Sequence, residues 1–201
     1  MEQWSQVASQ QTVERTIAAH KVNNISAEAV ADGDEAKKRV LELIPEGAEV
    51  MTMTSETLRV IGLEEEINSS AKFKSVRRGL AAEENQSRKR QLGAAPEWVV
   101  GSVHAVTEDG HVLIASQTGS QLPAYSFGAA HVIWVVGAQK IVKDLDAGLA
   151  RIYEYVLPLE SERAKKAYGV AGSAVNKLLV VNKEVSEGRI HLIFILQSVG
   201  F

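Results

Sequence analysis

The stretch "ASQTGSQLPAY" (residues 115–125) sets Gln117, Thr118, Gly119, Ser120 and Gln121 between an apolar run and a helix start. A glycine for close backbone approach, two hydroxyls, an amide and the N–H groups of the next helix are the components of an oxyanion or phosphate cradle. An ordinary turn has the same composition. "SET" places Ser55, Glu56 and Thr57 at a second strand-to-helix junction, where the alternative is a plain helix cap. In "GSVHAVTEDG", Gly101 and Ser102 are further ligand-binding candidates, and His104 and Glu108 are catalytic candidates. Strand alternation can turn His104 and Glu108 to one sheet face, with Glu108 as nucleophile or general base. The bland alternatives are a packed strand histidine and a solvated turn acid.

Other chemistries find little support. The Thr-Gly-Ser-Gln loop lacks the lysine of a nucleotide P-loop and the glycine pattern of a dinucleotide fold. The histidines at 20, 104, 111, 131 and 191 show no metal-ligand spacing, so no metal is expected, and no cofactor is expected either. With no cysteine there is no thiolate nucleophile, and any iron–sulfur cluster must belong to a partner. The net charge of −3 gives no global basic field. Lys72, Lys74, Arg77, Arg78, Arg88, Lys89 and Arg90 cluster locally, but Glu83 and Glu84 interrupt them, which favours a solvated face over a nucleic-acid surface.

Elements must position these residues. Apolar spacing predicts a helix from Trp4 to about His20, a short strand in "KVNNISA", and a helix from near Asp34 stopped by Pro45. A strand over 49–53 then runs into a helix capped by Thr54 or Ser55, and residues 70–96 read as a polar surface excursion. Asp109-Gly110 between two apolar runs predicts a hairpin. "QLPAYSFGAA" predicts a short helix, "HVIWVVG" a buried strand, and "DLDAGLARIYEYVLPL" a helix. Two closing strands lie in "KLLVVNKE" and "RIHLIFILQ". The expected fold class is α/β: a single domain with a mainly parallel Rossmann-like sheet, helices on both faces and an antiparallel C-terminal strand pair. Residues 1–33 form a helical lead-in to the domain over 34–201. Ligands in such sheets sit at the carboxyl ends of the strands.

Four stretches, "VMTMTSETLRVIGL", "GSVHAVTEDGHVLIAS", "FGAAHVIWVVGAQKIVKDLDAGLARI" and "VNKLLVVNKEVSEGRIHLIFI", together resemble the LUD (lactate utilisation) domain family. The resemblance runs from about Asp34 to the C-terminus. It implies the α/β fold shared with ribose-5-phosphate isomerase, glucosamine-6-phosphate isomerase and type I CoA-transferases. It also implies a link to L-lactate oxidation alongside iron–sulfur partner subunits. "TEDG" differs from the "AETG" of lactate-type members and looks like the Glu-Asn-Gly signature of CoA-transferases, which keeps acyl transfer through Glu108 open.

The functional expectation is a small anionic metabolite bound at the strand carboxyl ends and linked to lactate-type metabolism. A stand-alone acyl-transferase-like or isomerase-like enzyme and a non-catalytic assembly protein remain alternatives. An iron–sulfur partner subunit and a homo-oligomer stay open, with no nucleic acid and no membrane. The N-terminus lacks a secretory pattern, and no run reaches ~20 apolar residues, so a cytoplasmic protein is expected.

Overall fold

The computed structural model describes residues 2–201, in which ten strands form two sheets. The larger sheet contains six parallel strands: β1 (Ser26–Val30), β2 (Glu49–Thr52), β3 (Lys74–Ser75), β4 (Trp98–Gly101), β7 (His131–Gly137) and β10 (Ile190–Ile195). Their spatial order is β1-β10-β7-β4-β2-β3. The interior strands β7 and β10 are apolar on both faces, as a sheet covered twice requires. Val132, Trp134 and Val136 of β7 and Ile190, Leu192 and Phe194 of β10 join one core. Ile133, Val135, Ile193 and Ile195 join the other.

The second core is closed by α2 (Gly33–Leu43), α3 (Glu56–Val60) and α4 (Leu63–Ser69), which bury Ala36, Val40, Leu58, Leu63 and Ile67. Sequence sets the ends of α2. Asp32 accepts the N–H groups of Asp34 and Glu35, both at 3.0 Å, and Ile44 turns extended before Pro45. On the opposite face lie α1 (Gln10–Val22) and the smaller sheet, ordered β8-β5-β6-β9. This sheet comprises β5 (Ala105–Thr107), β6 (Val112–Ser116), β8 (Ile141–Val142) and β9 (Lys177–Val181). Strand β6 is buried on both sides. Val112 and Ile114 face the parallel sheet's core, while Leu113 and Ala115 meet Ile152 in a third apolar cluster.

Ile152 opens a π-helical turn (Ile152–Val156) between α7 (Leu145–Arg151) and α8 (Leu157–Tyr168). Pro158 has no N–H for the carbonyl of Glu154, and the helix widens just before it. Finally, α5 (Val76–Ala82) and α6 (Gln86–Ala94) link β3 to β4.

The expected α/β class and the Asp109-Gly110 hairpin are present, with Ala105 opposite Leu113. The two C-terminal strands do not pair with each other. Strand β9 runs antiparallel to β6, whereas β10 enters the parallel sheet between β1 and β7. Both strands carry enough apolar surface for a hairpin, but β10 is apolar at every position except His191 and belongs in the sheet interior. The first helix starts at Gln10 rather than Trp4, because Ser9 Oγ accepts the Thr12 N–H and caps it. The strand expected at "KVNNISA" begins at Ser26, since Asn23 caps α1 and Asn24 takes a positive φ of 59°. "QLPAYSFGAA" contains one π-helical turn, Ala124–Gly128.

Candidate functional site

The chain leaves β2 toward β3 on one side, then places β4, β7 and β10 on the other, so strand order reverses beside the carboxyl ends of β2 and β4. Open α/β sheets bind ligands at such a point. A cleft of about 800 Å³ lies there. Met53 to Thr57 line it after β2, Ser102 to His104 after β4, and Lys140 after β7. The loop over 115–121, the helices α5 and α6, and the π-helical turn close its sides.

Lys140 is the most constrained group in the cleft. It is 2% exposed, yet its amine reaches Thr57 Oγ1 (3.0 Å), Ser102 Oγ (3.2 Å) and the carbonyl of Val103 (3.2 Å). No carboxylate among the described residues pairs with it. Burial, reinforced by the Arg151 charge, holds its pKa well below the usual lysine value. Arg151 is itself fully buried, donating to the carbonyl of His104 at 2.5 Å and lying 5.2 Å over the Tyr155 ring. Burial lowers its pKa to about 10.

His104 feels the charge of both cations. Its Nδ1 accepts the Ala115 N–H at 3.1 Å, which leaves the proton of the neutral ring on Nε2. Burial, then Lys140, then Arg151 push its pKa down to about 3. At neutral pH His104 is therefore an uncharged donor, suited to polarising a carbonyl or stabilising an oxyanion.

The Thr118 loop uses most of its polar groups on itself. Gly119 N–H donates to Ser116 Oγ (2.9 Å) and Ser120 N–H to Thr118 Oγ1 (3.3 Å). Ser116 Oγ meets Gln121 Oε1 (3.2 Å), and the Gln121 amide donates to the carbonyl of Ala115 (3.3 Å). Gly119, at φ +85°, allows this tight path. The loop is a braced wall whose Gly119 and Ser120 N–H groups are already engaged.

The cleft gathers most of the residues expected from sequence: Ser55, Glu56, Thr57, Ser102, His104, Thr118, Gly119, Ser120 and Gln121 all line it. Several have structural partners as well. Ser55 Oγ caps α3 by accepting the Leu58 N–H, and Glu56 accepts two bonds from Arg59. Gly101 does not line the cleft. A Cβ there would fall 1.7 Å from the Tyr125 hydroxyl, so its role is to admit that ring. Glu108 lies outside the lining and pairs with Arg15 at 2.9 Å, with both side chains substantially exposed. His104 and Glu108 thus do not share a site.

Sequence reasoning missed Lys140 and the basic wall. Lys140 ends the short 3-10 turn (Ala138–Lys140) that follows the apolar strand β7, and that position near a strand's carboxyl end is the one sequence signal it carries. Arg77, Lys89 and Arg90, expected on a solvated face, line the cleft from α5 and α6. Arg77 is held by the carbonyl of Thr52 (2.7 Å) and Thr54 Oγ1 (3.0 Å). None of the three forms a salt bridge with a described carboxylate, whereas Arg163, across the cleft, is bound to Glu160. Although acids outnumber bases in the whole chain, the cleft lining has five Lys and Arg against Glu56 and Glu160. Among the described residues, no three His, Asp or Glu side chains group closely enough to hold a metal ion, and no helix is long and apolar enough to cross a membrane.

Comparison with known proteins fits this architecture. A DUF162-family protein from Deinococcus radiodurans, known from its crystal structure, superposes with a TM-score of 0.56 at 10% sequence identity. The match covers 94% of this chain and 98% of that one, and at this identity it shows the fold alone. No curated protein matches the chain. The LUD domain family model matches residues 13–195, which include every strand of both sheets, and the chain belongs to the LUD domain family.

Proposed function

We propose that the cleft binds a small anionic metabolite, and that the protein serves lactate-type metabolism together with partner subunits. One observation carries the binding reading: Arg77, Lys89 and Arg90 face one cleft at the strand carboxyl ends without a carboxylate partner among the described residues. Cations left unpaired along a concave wall focus a positive potential and favour an anion of matching size. Family membership supports the link to lactate-type metabolism. Glu108 has no part in this reading, since its carboxylate is taken by Arg15 away from the cleft lining.

The test is a thermal-shift screen of the chain against L-lactate, pyruvate, sugar phosphates and CoA esters. A ligand that binds only the folded state raises the unfolding temperature. The expected result is stabilisation by at least one of these anions, weakened about tenfold in affinity by Lys89→Met and by Arg77→Met. Failure of every anion to stabilise the chain, or unchanged affinity in both variants, refutes the proposal.

A further inference from the structure

The Lys140 amine donates to three oxygens, and their chemistry decides which of them can also donate in return. The amine has three polar neighbours: the Val103 carbonyl, Thr57 Oγ1 and Ser102 Oγ. A carbonyl oxygen only accepts. Thr57 directs its own hydroxyl hydrogen to the carbonyl of Val199 at 3.3 Å, so toward Lys140 it accepts too. A neutral amine brings two hydrogens and one lone pair, which suits two acceptors and one donor. Lys140 Nζ donates to Ser102 Oγ at 3.2 Å, and Ser102 is the neighbour whose hydroxyl can rotate to reverse that bond and donate to a neutral amine. An ammonium here would lack a counter-ion among the described carboxylates and would face the buried Arg151 guanidinium.

We propose that Ser102 and Lys140 form a nucleophile–base pair that hydrolyses small acyl esters or thioesters bearing an anionic group. Lys140 takes the Ser102 proton as Oγ attacks the acyl carbon and forms the new C–O bond. The bond from that carbon to the alkoxide or thiolate breaks, and the leaving group receives the proton from Lys140. Water then attacks the acyl-serine, its proton passes through Lys140 back to Ser102 Oγ, and the carboxylic acid departs. Water is the sole co-reactant, and nothing is oxidised or reduced.

Other residues of the cleft fit these roles. Thr57 and the Val103 carbonyl orient the amine, and Thr57 is clamped in turn. Gly200, at φ +66°, runs so close that a Cβ there would lie 2.4 Å from Thr57 Oγ1. His104, with its proton on Nε2, lines the same cleft as a neutral donor for the oxyanion. The inference rests on the reading of the cleft as a metabolite site and specifies the chemistry performed there.

The 201-residue chain is incubated with a fluorophosphonate and followed by intact mass and peptide mapping. The expected result is one adduct on Ser102, none in Ser102→Ala, and labelling slowed about 100-fold or more in Lys140→Met. The wild-type rate should rise with pH through the lowered titration of the amine and level off well before 10.5, and a rate that keeps rising up to that value counts against the pair. If Lys140→Met does not fold, Ser102→Ala and the wild-type pH profile decide alone. No Ser102 adduct between about pH 6 and pH 10, or equal rates in wild type and Lys140→Met, overturns the pair. Wild type that is stabilised by an anion but never labelled overturns the pair while leaving the binding reading intact. Labelling at Ser102 without stabilisation by any anion supports the pair and refutes the binding reading.

Discussion

Acidification should destabilise the fold through His104. Its pKa falls from 6.5 to about 3 in the folded chain, so the unfolded chain takes the proton first. The stabilising contribution is fully present above the unfolded value and is lost as pH drops through the interval below it. A tenfold change in proton affinity corresponds to about 1.36 kcal/mol, which sets a ceiling near ~5 kcal/mol, with roughly half of it lost between pH 7 and about pH 4.5. Because His104 opens onto the cleft, water offsets part of the burial, and the expected loss is about 2 kcal/mol. Urea unfolding followed by tryptophan fluorescence measures it, with the buried Trp134 among the reporters. The control is His104→Asn, which keeps an acceptor for the Ala115 N–H and does not titrate. His20 is also buried with a lowered pKa and contributes acid sensitivity of the same sign, but it is common to both proteins and cancels in the comparison. Wild type should lose about 2 kcal/mol more than His104→Asn over this range. Equal losses would refute the assignment of His104 as a neutral, desolvated ring.

Four further outcomes follow from the packing. Lys140 titrates below 10.5 in the folded state, so wild-type stability should climb with pH toward that value relative to Lys140→Met; urea midpoints at neutral and alkaline pH test this. Gly101→Ala drives a methyl into the Tyr125 hydroxyl, whose ring is 1% exposed and packs edge-on to Trp134 at 5.6 Å. Thermal unfolding should register a loss of about 1–3 kcal/mol. Arg189→Met strands Glu184, its partner at 2.7 Å, and frees the carbonyls of Ala124, Tyr125 and Ala129, for a loss of about 3–5 kcal/mol in chemical denaturation. Glu108→Gln breaks only an exposed pair, so stability should fall by less than about 1 kcal/mol, with anion affinity unchanged by titration calorimetry.

Local chemistry made much of this fold legible. Ser55 and Asp32 cap their helices because short polar side chains meet the first free N–H groups, and the Asp109-Gly110 turn sets the β5–β6 hairpin. The strand β7 is apolar along nearly its whole length, and such a run fits only a sheet interior. The apolar run of β10 marks an interior strand, but which strands flank it and β9 was not legible, since pairing partners distant in sequence leave no mark on local composition. The same limit governed the site. Ser102, His104 and the Thr118 loop stood out by type and neighbours, whereas Lys140 and Arg77 are ordinary residues until the sheet brings their stretches together. Glu108 illustrates the converse: strand alternation placed it with His104, but the chain turns at Thr107–Gly110 and carries the carboxylate to Arg15.

The position of β10 bears on how the molecule is made. Strand β1 lies at the sheet edge with β10 as its neighbour, and their contact is sealed by His191 and Glu28, 163 residues apart in sequence. During synthesis β1 emerges well before the strand that ties it to β7, since His191 follows Glu28 by 163 residues. Until then the edges of β1 and β7 lie open, and unpaired edges of this kind recruit other chains. The sheet closes on that side only when β10 inserts between β1 and β7, so productive folding depends on keeping β1 unattached long enough for its distant partner to arrive.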